Sequence, residues 1–222
     1  FCYLPFNTPH SPMQVPDAYW NKFAGKSLKL RATRPKAEEI PFTRAALAMC
    51  ENIDHNVSRV LQKLDDLHLA ESTIVIYFSD NGPNSWRWNG GMKGIKGSTD
   101  EGGVRAPFII RWPGHITPAT HIQQIAGAID LLPTLADLAA IQIPPAKPLD
   151  GVSLKPLLSG NATNWPDRMI FSHWGGKVSL RTQRYRLDNA NELFDMEADP
   201  GQTKNIAGEH KEAEGGVGRH RI

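Results

Sequence analysis

The chain has 222 residues, 40% of them apolar and 22% charged, and 25 Lys and Arg against 23 Asp and Glu give a formal net charge of +2. These values fall in the ordinary globular range and exclude a collagenous, mucin-like or wholly disordered chain. The balanced charge argues against a nucleic-acid binder, which carries a marked basic excess or stripe, and no apolar run is long enough to span a bilayer.

Residues 1–6, F-C-Y-L-P-F, are apolar and lack an initiator Met, a basic flank and a small-residue cleavage site. They are therefore read as a buried strand entered from its middle, not as a signal peptide. Asn7-Thr8-Pro9 is a turn signal, and His10 follows in a loop stiffened by Pro9 and Pro12. Residues 13–41 are rich in Pro and basic side chains with no clear period, which predicts a surface excursion. Leu47, Cys50, Ile53, Val57, Val60 or Leu61, Leu64 and Leu67 recur at three- or four-residue steps. That spacing predicts a helix from a Thr43 N-cap to about His68.

Thr73–Phe78 is β-branched and aromatic and reads as a buried strand of a mostly parallel sheet. The stretch 79–103 is Gly-rich and irregular. A further strand is expected at Phe108–Trp112, another at Ile125–Ile129, and a helix at Leu131–Ala140. Pro-rich residues 144–150 suggest a subdomain boundary. Beyond them, Met169–Trp174, Lys177–Arg181, Tyr185–Asp188 and Leu193–Phe194 predict an antiparallel meander. The tail at 209–222 has no apolar period and is expected to fray. Cys2 and Cys50 belong to no C-x-x-C pair, which excludes a zinc knuckle; two cysteines allow one disulfide but do not identify a compartment.

Several short segments have chemistry as well as conformation to offer. Ser79-Asp80-Asn81-Gly82 follows a predicted strand, at the edge where open α/β sheets bind ligands. Asp80 and Asn81 present hard oxygen donors suited to Ca²⁺ or Mg²⁺, and the same tetrapeptide also suits a plain tight turn. In residues 90–103, glycines allow close backbone approach, and Lys93 and Lys96 can hold an oxyanion as point charges. A solvated surface loop accounts for that composition equally simply. No Walker P-loop, G-x-S-x-G elbow or H-E-x-x-H occurs in the chain. Glu101 and Arg105 bracket a Gly-Gly turn and are read as a structural ion pair. Trp86 and Trp88, between the two motifs, suit stacking on an aryl or sugar ring as well as loop packing.

In order along the chain, P-F-N-T-P-H-S-P at 5–12, S-D-N-G-P at 79–83, K-G-S-T-D-E-G-G-V-R-A-P at 96–107, R-W-P-G-H-I at 111–116 and E-L-F-D-M-E-A-D-P at 192–200 resemble the type I sulfatases, especially bacterial arylsulfatase-like members. The resemblance implies an α/β fold: an alkaline-phosphatase-like mixed sheet flanked by helices, with a small C-terminal antiparallel β subdomain. It places residues 1–145 in the later part of the catalytic domain, 146–208 in the C-terminal subdomain and 209–222 in the tail. It further implies that Asp80 and Asn81 are ligands of a Ca²⁺ ion. Lys96 and His10 then bind the substrate sulfate and serve catalysis, while Trp86 and Trp88 are substrate-binding candidates on their own chemistry, with loop packing as the alternative.

The family's nucleophile is a formylglycine made within C/S-x-P-x-R, and neither Cys2 nor Cys50 stands in that motif. The resemblance therefore implies a sulfatase fragment whose nucleophile lies outside this chain and which is inactive alone. Its partner would be a sulfated small molecule or glycan, with no nucleic acid and no membrane span, in a secreted or periplasmic setting. The competing readings are a phosphate or phosphonate ester hydrolase of the same superfamily, and a non-catalytic relative that binds sulfated glycans.

Overall fold

A computed structural model describes residues 1–144, 147–162 and 165–210. Helix α1, Asp17–Ala24, precedes the long α2, Ile40–Asp66. The predicted apolar periodicity is realised in α2, whose buried residues are Ala45, Ala46, Ala48, Met49 and Ile53. Small residues dominate this face, so α1 can pack closely against it. The Tyr19 hydroxyl lies 2.6 Å from His55 Nδ1, and Lys22 pairs with Glu51. Residues 13–41 are thus more than an excursion, since they contain a helix that rests on α2.

The helix begins three residues before the expected cap. Glu39 is its N-cap and Pro41 sits in its first turn, where a missing N–H costs nothing. Thr43 instead donates its hydroxyl to Glu38 Oε1 at 2.9 Å, while Glu38 Oε2 accepts the Arg31 and Ala32 N–H groups, each at 2.8 Å. Burial works against the Glu38 charge, but these three hydrogen bonds and the nearby Arg87 hold its carboxyl below the ordinary 4.5. A carboxyl depressed by folding stabilises fully above its unfolded value and loses that contribution as pH falls through the folded value. Glu38→Gln is therefore expected to cost about 2 kcal/mol at pH 7, with the difference from wild type shrinking below pH 4.5. Urea unfolding at pH 7 and pH 3.5 checks this, and a pH-independent difference would contradict it.

Strand β1, Val75–Phe78, pairs antiparallel with β2, Phe108–Arg111, in register Val75↔Arg111 to Phe78↔Phe108. This corrects the parallel arrangement expected for Thr73–Phe78. A parallel pair needs a crossover of a dozen or more residues, usually a helix. The β1–β2 connection instead turns back through the 79–100 loop and a one-turn helix, α3, Glu101–Val104. The strand is half-buried, and Phe78 is exposed.

Residues 1–6 are exposed and form no strand among the described residues, since an apolar run becomes a strand only when its backbone finds a ladder partner. Ile125–Ile129 is likewise not a strand, because side chains take up its backbone groups. Gln183 Oε1 accepts the Ile125 N–H at 3.0 Å, and Asp130 Oδ2 accepts the Gly127 N–H at 2.8 Å.

Helix α4, Leu131–Leu138, and the short α5, Lys155–Leu158, follow. Leu154, Leu157 and Leu158 form a buried cluster with Ile110, Ile116, Leu138 and Trp165, joining β2 to both helices. Strands β3, Ile170–Trp174; β4, Lys177–Arg181; β5, Tyr185–Leu187; and β6, Leu193–Asp195 form an antiparallel sheet in that order. This is the predicted meander. Its own core is Leu193, Ile206 and Ala207 against Tyr185 and Leu187. The expected boundary at residues 145 and 146 lies outside the described residues, as does the tail from 211 on. No helix among the described residues is long and apolar enough to cross a membrane. Cys2 and Cys50 are both free and exposed.

Candidate functional site

The end of β1 delivers Asp80 and Asn81 into a loop held by backbone contacts. Ser79 N–H donates to Pro107 O at 3.3 Å and Gly82 N–H to Gly103 O at 3.0 Å, while Lys96 N–H donates to Pro83 O at 2.8 Å. The two candidate motifs, 79–83 and 96–103, are therefore locked together although more than ten residues separate them. The approach requires glycine: a methyl group on Gly82 would stand 1.9 Å from Gly102 O. Asn89 adds a strut, donating from Nδ2 to Met92 O at 3.1 Å and Gly94 O at 3.2 Å.

His10 joins the same region through its neighbour, because Asn84 Nδ2 donates to Ser11 Oγ at 2.8 Å. The His10 ring is exposed and its Nδ1–H donates to Ser11 O at 2.7 Å, while Nε2 has no hydrogen-bond partner among the described residues. Among the described residues, neither the Asp80 carboxylate nor the Asn81 amide is engaged in a side-chain hydrogen bond. A carboxylate and an amide oxygen side by side suit a hard cation, which takes six to eight oxygens. These two residues fit part of such a shell. Among the described residues no group of three or more His, Cys, Asp or Glu lies together as a metal cluster.

The two lysines of the loop have different fates. Lys93 Nζ lies 3.0 Å from Asp188 and 3.7 Å from both Asp100 and Glu192, and sits 4.8 Å over the Phe194 ring. Burial opposes its charge, but the Asp188 hydrogen bond and the surrounding carboxylates outweigh it and raise the ammonium above the ordinary 10.5. Lys93 is a strut onto the C-terminal sheet. Lys96 forms no ion pair among the described residues and remains the cation available to an oxyanion.

The expected Glu101–Arg105 pair exists at 3.3 Å but is the weaker part of a larger group. Glu101 Oε2 accepts Arg186 Nε at 3.1 Å and Nη2 at 2.7 Å, and lies 3.5 Å from Arg181 Nε. Arg186 Nη1 and Ser179 Oγ both donate to Thr99 O at 2.7 Å. Gln202 Oε1 accepts the Glu101 N–H at 2.9 Å. The sheet thereby grips the loop that carries Lys96. Sequence reasoning missed Arg186, because a charged residue inside a strand gives no local sign of a partner 85 positions away.

Trp86 is half-buried with the Arg34 guanidinium 4.7 Å over its ring. It lines a cavity of about 370 Å³ together with Arg34, Lys93, Ser98 and Asp100. One face of this indole is therefore already occupied. Trp88 is 59% exposed.

The Sulfatase family model matches residues 1–141, and the model for the C-terminal part of N-sulphoglucosamine sulphohydrolase matches residues 96–215. Human arylsulfatase A is 33% identical over 86% of the chain and 42% of its own length. A structure of Ps i-CgsB in complex with k-i-k-neocarrahexaose superposes with a TM-score of 0.78 at 26% identity, covering 92% of this chain and 45% of that one. A structure in complex with its substrate D-glucosamine-2-N,6-O-disulfate superposes with a TM-score of 0.62 at 25% identity, covering 79% of this chain and 38% of that one. The chain thus spans less than half the length of these relatives. With a family match over most of its residues and an α/β architecture shared with solved relatives, this chain belongs to the sulfatase family.

Proposed function

We propose that the chain carries part of the centre of a sulfuric ester hydrolase, with residues 1–145 belonging to its catalytic domain and 146–208 to a C-terminal subdomain. One observation carries this reading. The hydrogen bonds Gly82 N–H to Gly103 O and Lys96 N–H to Pro83 O hold the oxygen donors and the free lysine in one rigid unit.

In this reading Asp80 and Asn81 would hold a divalent ion, Ca²⁺ in the family. Such an ion supplies positive charge toward sulfate oxygens when bound. The Lys96 ammonium binds the sulfate as a point charge, and His10 presents Nε2 to the same group. Fixed cations of this kind stabilise charge that builds during S–O cleavage without reorganising. No residue of the chain is assigned the covalent step, since no C/S-x-P-x-R segment occurs in it. The substrate class proposed is a sulfated saccharide, following the disulfated glucosamine bound by a structural relative, in a secreted or periplasmic setting.

Inorganic sulfate and Ca²⁺ titrations followed by amide NMR test the assignment. Sulfate is expected to move the amides of residues 96–99, and Lys96→Ala to weaken that binding at least about tenfold, as loss of a charge-assisted contact does. Ca²⁺ is expected to move Asp80 and Asn81, and Asp80→Asn to abolish the effect while leaving the sulfate response. Sulfate shifts that survive Lys96→Ala would overturn the role given to Lys96.

A further inference from the structure

The β3–β4 hairpin lies along the Lys96 loop, and its register shows how. Trp174 pairs with Lys177, Ser172 with Ser179 and Ile170 with Arg181. Directly opposed residues in an antiparallel pair share a face, and residues two apart on a strand share it too. One face of the hairpin therefore carries Trp174, Lys177, Ser179 and Arg181. Three contacts place this face against the loop in order. Arg181 Nε lies 3.5 Å from Glu101 Oε2, and Ser179 Oγ donates to Thr99 O at 2.7 Å. A methyl group built on Gly97 would lie 3.6 Å from the Trp174 indole Nε1.

The contacts step along the loop from 101 to 99 to 97, and the next residue is Lys96. The inner two steps are buried and fixed by Arg186 as well, which is 2% exposed. The outer step is open, because Trp174 is 62% exposed and Lys177 is exposed beside it. The tip turns through Gly175 and Gly176, at φ 55° and 77°, a conformation that keeps the turn tight and the two side chains at its rim. Gly97 itself, at φ 87°, brings backbone rather than side chain under the indole.

We infer that the β3–β4 hairpin tip is the subsite for the part of the substrate that bears the sulfate, with Trp174 as a stacking platform for its ring and Lys177 as the contact for a second anionic group. This rests on the assignment of Lys96 to the sulfate. A large exposed aromatic face next to an anion-holding lysine suits a ring attached to that anion. A cation on the same face, directly opposite across the strand pair, suits a saccharide with a further sulfate or carboxylate. The inference thus moves ring recognition away from Trp86, one face of which is taken by Arg34. The ligand class is a doubly anionic sulfated saccharide.

The test uses the full chain, D-glucosamine-2-N,6-O-disulfate and inorganic sulfate as probes, and amide NMR as readout. Trp174→Ala is expected to weaken binding of the disulfated glucosamine roughly fivefold and to leave inorganic sulfate binding unchanged. Trp174→Phe keeps a platform and is expected to restore most of the loss. Lys177→Ala is expected to weaken the sugar probe about threefold, the scale of an exposed ion pair, again without effect on inorganic sulfate. Both side chains are exposed, so the unchanged sulfate response also reports an intact fold. Equal sugar affinity in wild type and Trp174→Ala, with sulfate binding still dependent on Lys96, would overturn this inference and leave the function standing. Failure of wild type to bind either probe at Lys96 would overturn both.

Discussion

Glu101→Ala is expected to lower the unfolding free energy by about 3–5 kcal/mol, the usual cost of removing one partner from a buried ion pair. Glu101 is 5% exposed and is the carboxylate that faces Arg105, Arg181 and Arg186. Without it, the buried Arg186 guanidinium keeps its bonds to Thr99 O and Ser179 Oγ but loses its counter-charge. The exposed Arg105 adds little, because solvent screens it. Burial already disfavours the charged form of Arg181, so its loss of Glu101 worsens an existing cost.

Glu101→Gln keeps an oxygen acceptor and is expected to cost less. The double variant Glu101→Leu with Arg186→Met is expected to be more stable than the sum of its single changes, because the two sites share one interaction. Urea midpoints at constant m-value measure this. A stability loss below about 1 kcal/mol for Glu101→Ala would contradict the role of the pair as the principal tie between loop and sheet.

Asp130→Ala is expected to have an effect of the same size. Asp130 has 0% exposure. Its Oδ1 accepts the Val152 N–H at 2.9 Å, and its Oδ2 accepts the Gly127 N–H at 2.8 Å and Arg168 Nη1 at 2.9 Å. Alanine would strand two backbone donors and a largely buried guanidinium together. The packing around these donors leaves little room to relax, since a methyl group on Gly151 would meet Ile129 O at 2.0 Å. A loss of about 4 kcal/mol corresponds to a Tm decrease of roughly 8–16 °C for a chain of this size. Thermal unfolding measures it, and hydrogen exchange should show Gly127 and Val152 amides losing protection first. A variant that melts with wild type would show that Asp130 does not hold this junction.

Local pattern and non-local pairing divide what could be read in advance. The helix at 40–66 and the four strands of the meander were legible because each repeats apolar residues at its own period, and burying that face is what makes it fold. Asp80, Asn81 and Lys96 were legible as candidates only because their motifs stand in the order of the sulfatase family, since each motif alone suits a turn or a solvated loop as well. Helix α1 was not, since its eight residues present no buried side chain of their own and stand only because α2 offers a surface to lean on. Residues 1–6 looked like a strand because apolar composition signals burial without saying what supplies the ladder partner.

By itself, then, the amino-acid sequence determined the family, the order of the main elements and the motifs at 79–83 and 96–107. Only the tertiary structure decided that β1 and β2 run antiparallel, that Lys93 is a strut while Lys96 stays free, and that Arg186 and Asp130 hold the loops. It also brought Trp174 beside Gly97. The physical reason is range: periodicity acts over a few residues, whereas a buried charge is placed by whichever distant group can satisfy it once the chain has closed around both.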